Sequence, residues 1–152
     1  MTSHGVLPFA PMFRKALLAC ALLIVACGKL KELPTAPGGS GEPIDPTATF
    51  SRVKGEIFTP TCAQLGCHDR LGRQEGQQLT ADVAFSQTVN HPSVEMPQLN
   101  RITPGDFANS YLYRKITGAG ITGDRMPQGG PYLTDTQIKL VRDWIRRGAP
   151  ND

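Results

Sequence analysis

Two cysteines and a histidine share one short loop of this sequence, Thr61-Cys62-Ala63-Gln64-Leu65-Gly66-Cys67-His68, and a methionine stands in a later loop at Met126. Thiols at this spacing can add to the two vinyl groups on one edge of a porphyrin, forming two thioether bonds. A histidine directly after the second cysteine is then held beneath the iron and can ligate it through a ring nitrogen. Two cysteines followed at once by a histidine form the haem-attachment arrangement. The usual spacing leaves two residues between the cysteines, and here there are four. The two extra residues must bulge out of the turn, and Gly66 supplies backbone freedom for that.

The same three residues admit other chemistry. Cys62 and Cys67 can close a structural disulfide, which is natural in an oxidising compartment. A bare metal site would have only Cys62, Cys67 and His68 as crowded ligands, with His91 a distant fourth. A redox dithiol ordinarily has two residues between its cysteines. The haem reading gains from the C-terminal part. A methionine sulfur opposite a histidine raises the reduction potential of haem iron, and Met126-Pro127 sits in a Gly-rich loop just before the clearest helix of the chain. Met126 lies 58 residues after His68, enough chain to cross to the other haem face. Met96, also followed by proline, and His91 are rival ligands; His91 would give bis-His ligation and a lower potential.

Four helices must position these groups. Phe50, Val53 and Ile57 have helical spacing from about Thr49 or Ser51, with Pro60 as the expected end. A second helix is expected over about 80–89. Asp106 reads as the N-cap of a third, 107–117, with Leu112 and Ile116 four apart and Gly118 at its C-terminus. The fourth opens on the capping box Thr134-Asp135-Thr136-Gln137. It continues with Ile138, Val141, Trp144 and Ile145 on one face and closes at Gly148. Strand-like alternation is absent, so the fold class is all-α with long loops, and loops of this length need something to wrap. The folded part is thin in apolar residues, and a small chain with so little core needs a disulfide, a metal or a large cofactor.

The N-terminal part reads differently. Arg14 and Lys15 precede an apolar run, Ala16 to Ala26, too short for a transmembrane helix and suited to a signal peptide. Its end, Ile24-Val25-Ala26-Cys27-Gly28, resembles a bacterial lipobox, which implies lipidation of Cys27. Leu17-Leu18-Ala19-Cys20 fits the short pattern too but leaves almost no apolar run before it. Residues 28–48 are rich in Pro, Gly and small polar residues and read as a flexible tether, leaving one domain at 49–152. That domain carries 12 Lys and Arg against 10 Asp and Glu, a balance that gives no reason to expect nucleic acid. Arg142, Arg146 and Arg147 read as a solvated helix face.

Four stretches carry a resemblance to bacterial c-type cytochrome domains of exported proteins. They are Ile57-Phe58 leading to Cys62, Cys67 and His68; Arg101-Ile102-Thr103-Pro104-Gly105-Asp106 leading to Ser110-Tyr111-Leu112; Arg125-Met126-Pro127; and Leu133 through Trp144-Ile145 to Gly148-Ala149. The resemblance implies a cytochrome c fold whose first and last helices cross, with Phe50, Val53 and Ile57 meeting Val141, Trp144 and Ile145. It implies one haem c per chain, bound by Cys62 and Cys67, with His68 the proximal iron ligand and Met126 the distal one. Arg101, Tyr113 and Arg114 are candidate partners for haem propionates. With both axial positions filled, the expected function is electron transfer rather than catalysis, with transient redox protein partners. The expected location is the cell envelope, lipid-anchored to a membrane and facing the periplasm or the outer surface. The alternative is a haem-free, disulfide-stapled binding or scaffold module of the same fold. A peroxidase-like enzyme ranks last, because no distal His-Arg pair is evident.

Overall fold

The computed structural model describes residues 41–152 together with Met1. The expected signal segment, the lipobox-like run with Cys27 and residues 28–40 of the expected tether lie outside the described residues, Met1 apart. Among the described residues the fold is all-α, with no strand and only isolated backbone bridges such as Val89 with Ile102.

Helix α1 (Phe50–Val53) starts where the spacing of Phe50 and Val53 places it. The Thr49 hydroxyl accepts from the Arg52 N–H at 3.2 Å, taking up one of the donors a helix start leaves unpaired. Pro60 does not end the helix, contrary to expectation. The chain widens after Val53 into a π-helical stretch, Lys54–Cys62, with Pro60 inside it. The i→i+5 bond from the Ala63 N–H to the Phe58 carbonyl, at 2.8 Å, holds beyond the proline, so the missing donor costs one rung of the ladder rather than the whole turn. This winding buries Ile57 and Phe58 and carries the chain straight to Cys62.

Helix α2 (Ala84–Thr88) is shorter than its expected span. Helix α3 (Tyr111–Thr117) begins four residues later than Asp106 suggests, with Ser110 at the cap position. Asp106 instead closes a turn, its carboxylate accepting from the Asn109 N–H at 3.0 Å. Gly118 ends α3 at φ 83°, a left-handed conformation that costs glycine little. Helix α4 (Asp135–Arg146) has both arms of the Thr134–Gln137 capping box. Its buried face, Leu140, Val141, Trp144 and Ile145, meets α1, with the Phe50 and Trp144 rings 5.5 Å apart.

The arginines of α4 are not a solvated face. Asp143 is wholly buried and accepts from the Asp45 N–H at 3.1 Å, from Lys139, and from Arg142 at 3.3 Å, with Arg146 at 3.5 Å. Arg142 also grips Glu42 at 2.6 Å, and Arg147 donates to the Ala48 carbonyl at 2.6 Å. Residues 42–48, tether by composition, therefore lie along α4 with Ala48 buried. Asp152 closes the other end, accepting from the Phe50 N–H at 2.9 Å.

Burial works to raise the Asp143 pKa, but hydrogen bonds from Lys139, the Asp45 N–H and Arg142 outweigh it and hold the carboxyl below its ordinary value. Its ionisation thus adds stability above about pH 4, and that stability is lost as pH falls through the depressed folded-state value. Asp143→Ala should cost about 3 kcal/mol, the low end for breaking a buried ion pair, because its cations are partly solvated. Urea unfolding read by the fluorescence of Trp144, the single tryptophan, measures both effects. Asp143→Asn should flatten the acid limb of the stability curve.

Candidate functional site

The π-helical stretch ends in the loop that holds the two thiols and the imidazole. The His68 N–H donates to the Cys62 carbonyl at 3.2 Å, and the Cys67 N–H to the Gln64 carbonyl at 2.9 Å. These bonds close the four-residue insert into a compact bulge, and Gly66 takes φ 79° within it. Gly72 packs so tightly beneath the bulge that an added Cβ would stand 2.5 Å from the Cys67 carbonyl oxygen and 2.5 Å from the Gly66 carbonyl carbon. No side chain fits there without moving the loop.

His68 is fixed by its neighbours. Its Nδ1 lies 3.1 Å from the Gln77 carbonyl. A carbonyl only accepts, so the ring proton belongs on Nδ1, and Nε2 keeps its lone pair. Burial is the main influence lowering the His68 pKa; the Gln77 and Gln74 carbonyls oppose it, and the charges of Arg101 and Lys115 assist it. The imidazole is thus held neutral, the state in which it can bind a metal ion. The Leu79 N–H donates to the His68 carbonyl at 2.8 Å and ties the loop to the core.

His68 lines a cavity of about 310 Å³, within the roughly 300–1,000 Å³ range of small-molecule sites. Cys62, Cys67 and Met126 line the same cavity. Its apolar walls are Ile57 and Phe58 from the π-helical stretch, Leu112 and Ile116 from α3, and Val141 from α4, with Leu79 and Leu133 from loops. Cys62 is half-buried and its thiol is pushed up to about 12, by burial first and by the nearby Cys67 second. Cys67 is exposed. Both are free thiols, and the disulfide considered from the sequence is not formed. No group of three or more His, Cys, Asp or Glu side chains among the described residues is arranged to hold a metal ion.

Met126 reaches the cavity because its loop is fastened to α3. The Met126 N–H donates to the Lys115 carbonyl at 2.9 Å, and Arg125 Nε to the Ile116 carbonyl at 2.9 Å. Lys115 Nζ donates to the Thr122 carbonyl at 3.0 Å, and the Tyr111 hydroxyl accepts from the Thr122 N–H at 3.1 Å. Met96 and His91 are not among the residues lining the cavity. The Met96 sulfur accepts from Gln98 at 3.6 Å and Thr122 at 3.7 Å. Of the three candidate propionate partners, only Arg101 lines the cavity. Arg114 is engaged by the Ala108 carbonyl at 2.7 Å, and Tyr113 packs on Phe107 with ring centroids 5.1 Å apart.

Several residues of the site carry no sequence signal of their own. Gln77 contributes through its carbonyl, which any residue has. Gly72 is one of 16 glycines, and nothing in its local sequence marks it as the one beneath Cys67. Lys115 looks like a surface lysine of α3 until its burial and its ion pair with Glu95, at 3.0 Å, are known. No family model, no curated protein and no solved structure matches this chain.

Alkylation of the haem-free chain near pH 8 should label Cys67 well before Cys62, as peptide mass spectrometry would read; equal rates would contradict the burial of Cys62. Gly72→Ala should destabilise the domain by about 1–3 kcal/mol, the cost of overpacking, measured by thermal unfolding.

Proposed function

We propose that this protein is an electron carrier that holds one haem c in the cavity, with thioether bonds to Cys62 and Cys67 and iron between His68 and Met126. The observation that carries this reading is the convergence of those four side chains, which come from two distant loops, on one apolar cavity. The donor set suits the group: two thiols, a neutral imidazole and a thioether sulfur amid hydrocarbon walls. The cytochrome c fold is part of the proposal, supported by the packing of α1 on α4 through Phe50 and Trp144.

The bound group would supply reversible one-electron chemistry at its iron. The chain's own residues do the rest. The Gln77 carbonyl orients the His68 ring. The bonds from Met126 and Arg125 to α3 hold the sulfur in place, and Leu79, Leu112, Ile116 and Leu133 exclude water. His68 and Met126 would together hold the iron and leave it no place for a substrate, so the group would serve electron transfer rather than catalysis. Cys67 lines the cavity and is exposed, and Leu65 and Leu71 on the same stretch are exposed apolar side chains that a redox partner would meet. Export and attachment to a membrane through lipidated Cys27 complete the proposal, and confinement near membrane-bound partners would suit such a carrier.

Expression in a host with c-type haem maturation tests this. Haem should stay with the polypeptide through denaturation and acid-solvent extraction. It should be lost in the Cys62→Ala, Cys67→Ala double variant. A colourless protein, in a host that accepts the four-residue spacing, would contradict the proposal and leave the haem-free module.

A further inference from the structure

We propose that Glu95 is a positioning residue for Met126: it pairs with Lys115 and so holds the loop that presents the methionine sulfur to the cavity. The inference rests on the function proposed above and adds to it a residue from a third loop. Lys115 Nζ lies 3.0 Å from each carboxylate oxygen of Glu95. The same ammonium donates to the Thr122 carbonyl at 3.0 Å. The Lys115 backbone carbonyl accepts from the Met126 N–H at 2.9 Å. One lysine thus grips the loop twice, by its side chain at Thr122 and by its backbone at Met126. Glu95, Lys115 and Met126 all line the cavity.

Lys115 is 8% exposed, and a buried ammonium is costly unless it is paired. Glu95 is the one carboxylate in an ion pair with it among the described residues. The Thr122 carbonyl orients the ammonium but does not neutralise it. Without Glu95, the flexible lysine stem would turn its charged head toward water and release Thr122. Gly123 supplies an independent observation. It takes φ 66°, and a Cβ there would stand 3.3 Å from a Glu95 carboxylate oxygen and 3.8 Å from Lys115 Nζ. The backbone of the Met126 loop therefore passes directly against the ion pair, with a glycine where a side chain would press on it. The Thr122 hydroxyl also donates to the Met96 sulfur at 3.7 Å, a second link between the Glu95 loop and the Met126 loop. Glu95 acts through Lys115 and this loop, not by contact with the iron.

The test uses the full chain, comparing wild type, Glu95→Ala, Glu95→Gln, Glu95→Asp, Lys115→Met and the double variant Glu95→Ala, Lys115→Met. With haem attached, two quantities are read: the near-infrared magnetic circular dichroism of methionine bound to ferric iron, and the reduction potential. Glu95→Ala should weaken the methionine signal and lower the potential, since methionine ligation raises it. A carboxylate acting only as a charge would give the opposite sign, because removing an anion favours the reduced iron. Glu95→Asp should restore both readouts toward wild type. Adding Glu95→Ala to Lys115→Met should change neither readout further. Glu95→Gln keeps the shape, should shift both readouts less and in the same direction, and carries the test if Glu95→Ala fails to fold. In the haem-free chain, Glu95→Ala should speed amide exchange at Met126 about tenfold relative to the amides of α4, the size expected for losing one hydrogen bond to a charged group. An intact methionine signal with a raised potential, or exchange at Met126 that rises only in step with α4, would overturn the role of Glu95 and leave the haem reading standing. A wild-type chain that takes no haem would overturn that reading, and the exchange measurement would then decide the role of Glu95 in holding the loop.

Discussion

The bond from His68 Nδ1 to the Gln77 carbonyl, 3.1 Å long, is the constraint on which the site turns. It sets the tautomer, and with it the ring nitrogen available for a metal. It also joins the two ends of an otherwise irregular stretch, 68–77. Gly72 can pack under Cys67 only because that stretch folds back on itself. The same backbone position, Gln77, delivers the unpaired side-chain amide to the cavity. The setting of the His68 ring, the closure of the loop and the polar side of the cavity therefore share one short segment. A carbonyl partner suits a metal-binding histidine, since it fixes the ring without adding charge.

A second set of bonds does the same for Met126. Its loop carries little apolar weight and is held by α3 through backbone carbonyls and the buried side chains of Tyr111 and Lys115. The two loops meet because α3, α4 and the π-helical stretch form a common wall. That wall contains much of the hydrocarbon of a small core, and its inner face borders a cavity rather than more protein. On the function proposed, the haem would fill that cavity and complete the small core of a domain whose loops are long and whose apolar content is low.

Much of this was legible in the residues. The capping box and apolar face of α4 were plain, because a regular amphipathic helix is specified locally. Cys62, Cys67 and His68 stood out by type and spacing, and Met126 by its place before α4. Pro60 misled because a wider helical winding can carry a proline that an α-helix rejects. Asp106 misled because its side chain serves a turn, while Ser110 takes the cap position. The composition of residues 42–48 argues for a free tether, but Glu42 and Asp45 find partners about a hundred positions away on α4, and no local signal reveals such pairing. The importance of Gly72, Gln77 and Lys115 is likewise a property of what packs beside them.

The most direct measurement is the near-infrared magnetic circular dichroism of the oxidised, haem-bearing protein, which reports methionine sulfur bound to ferric iron. The account predicts a Met-ligated signal that is lost in Met126→Leu and kept in Met96→Leu. Persistence of that signal in Met126→Leu, or a bis-nitrogen signal in the wild type, would show that the cavity shared by His68 and Met126 is not where the iron finds its second ligand.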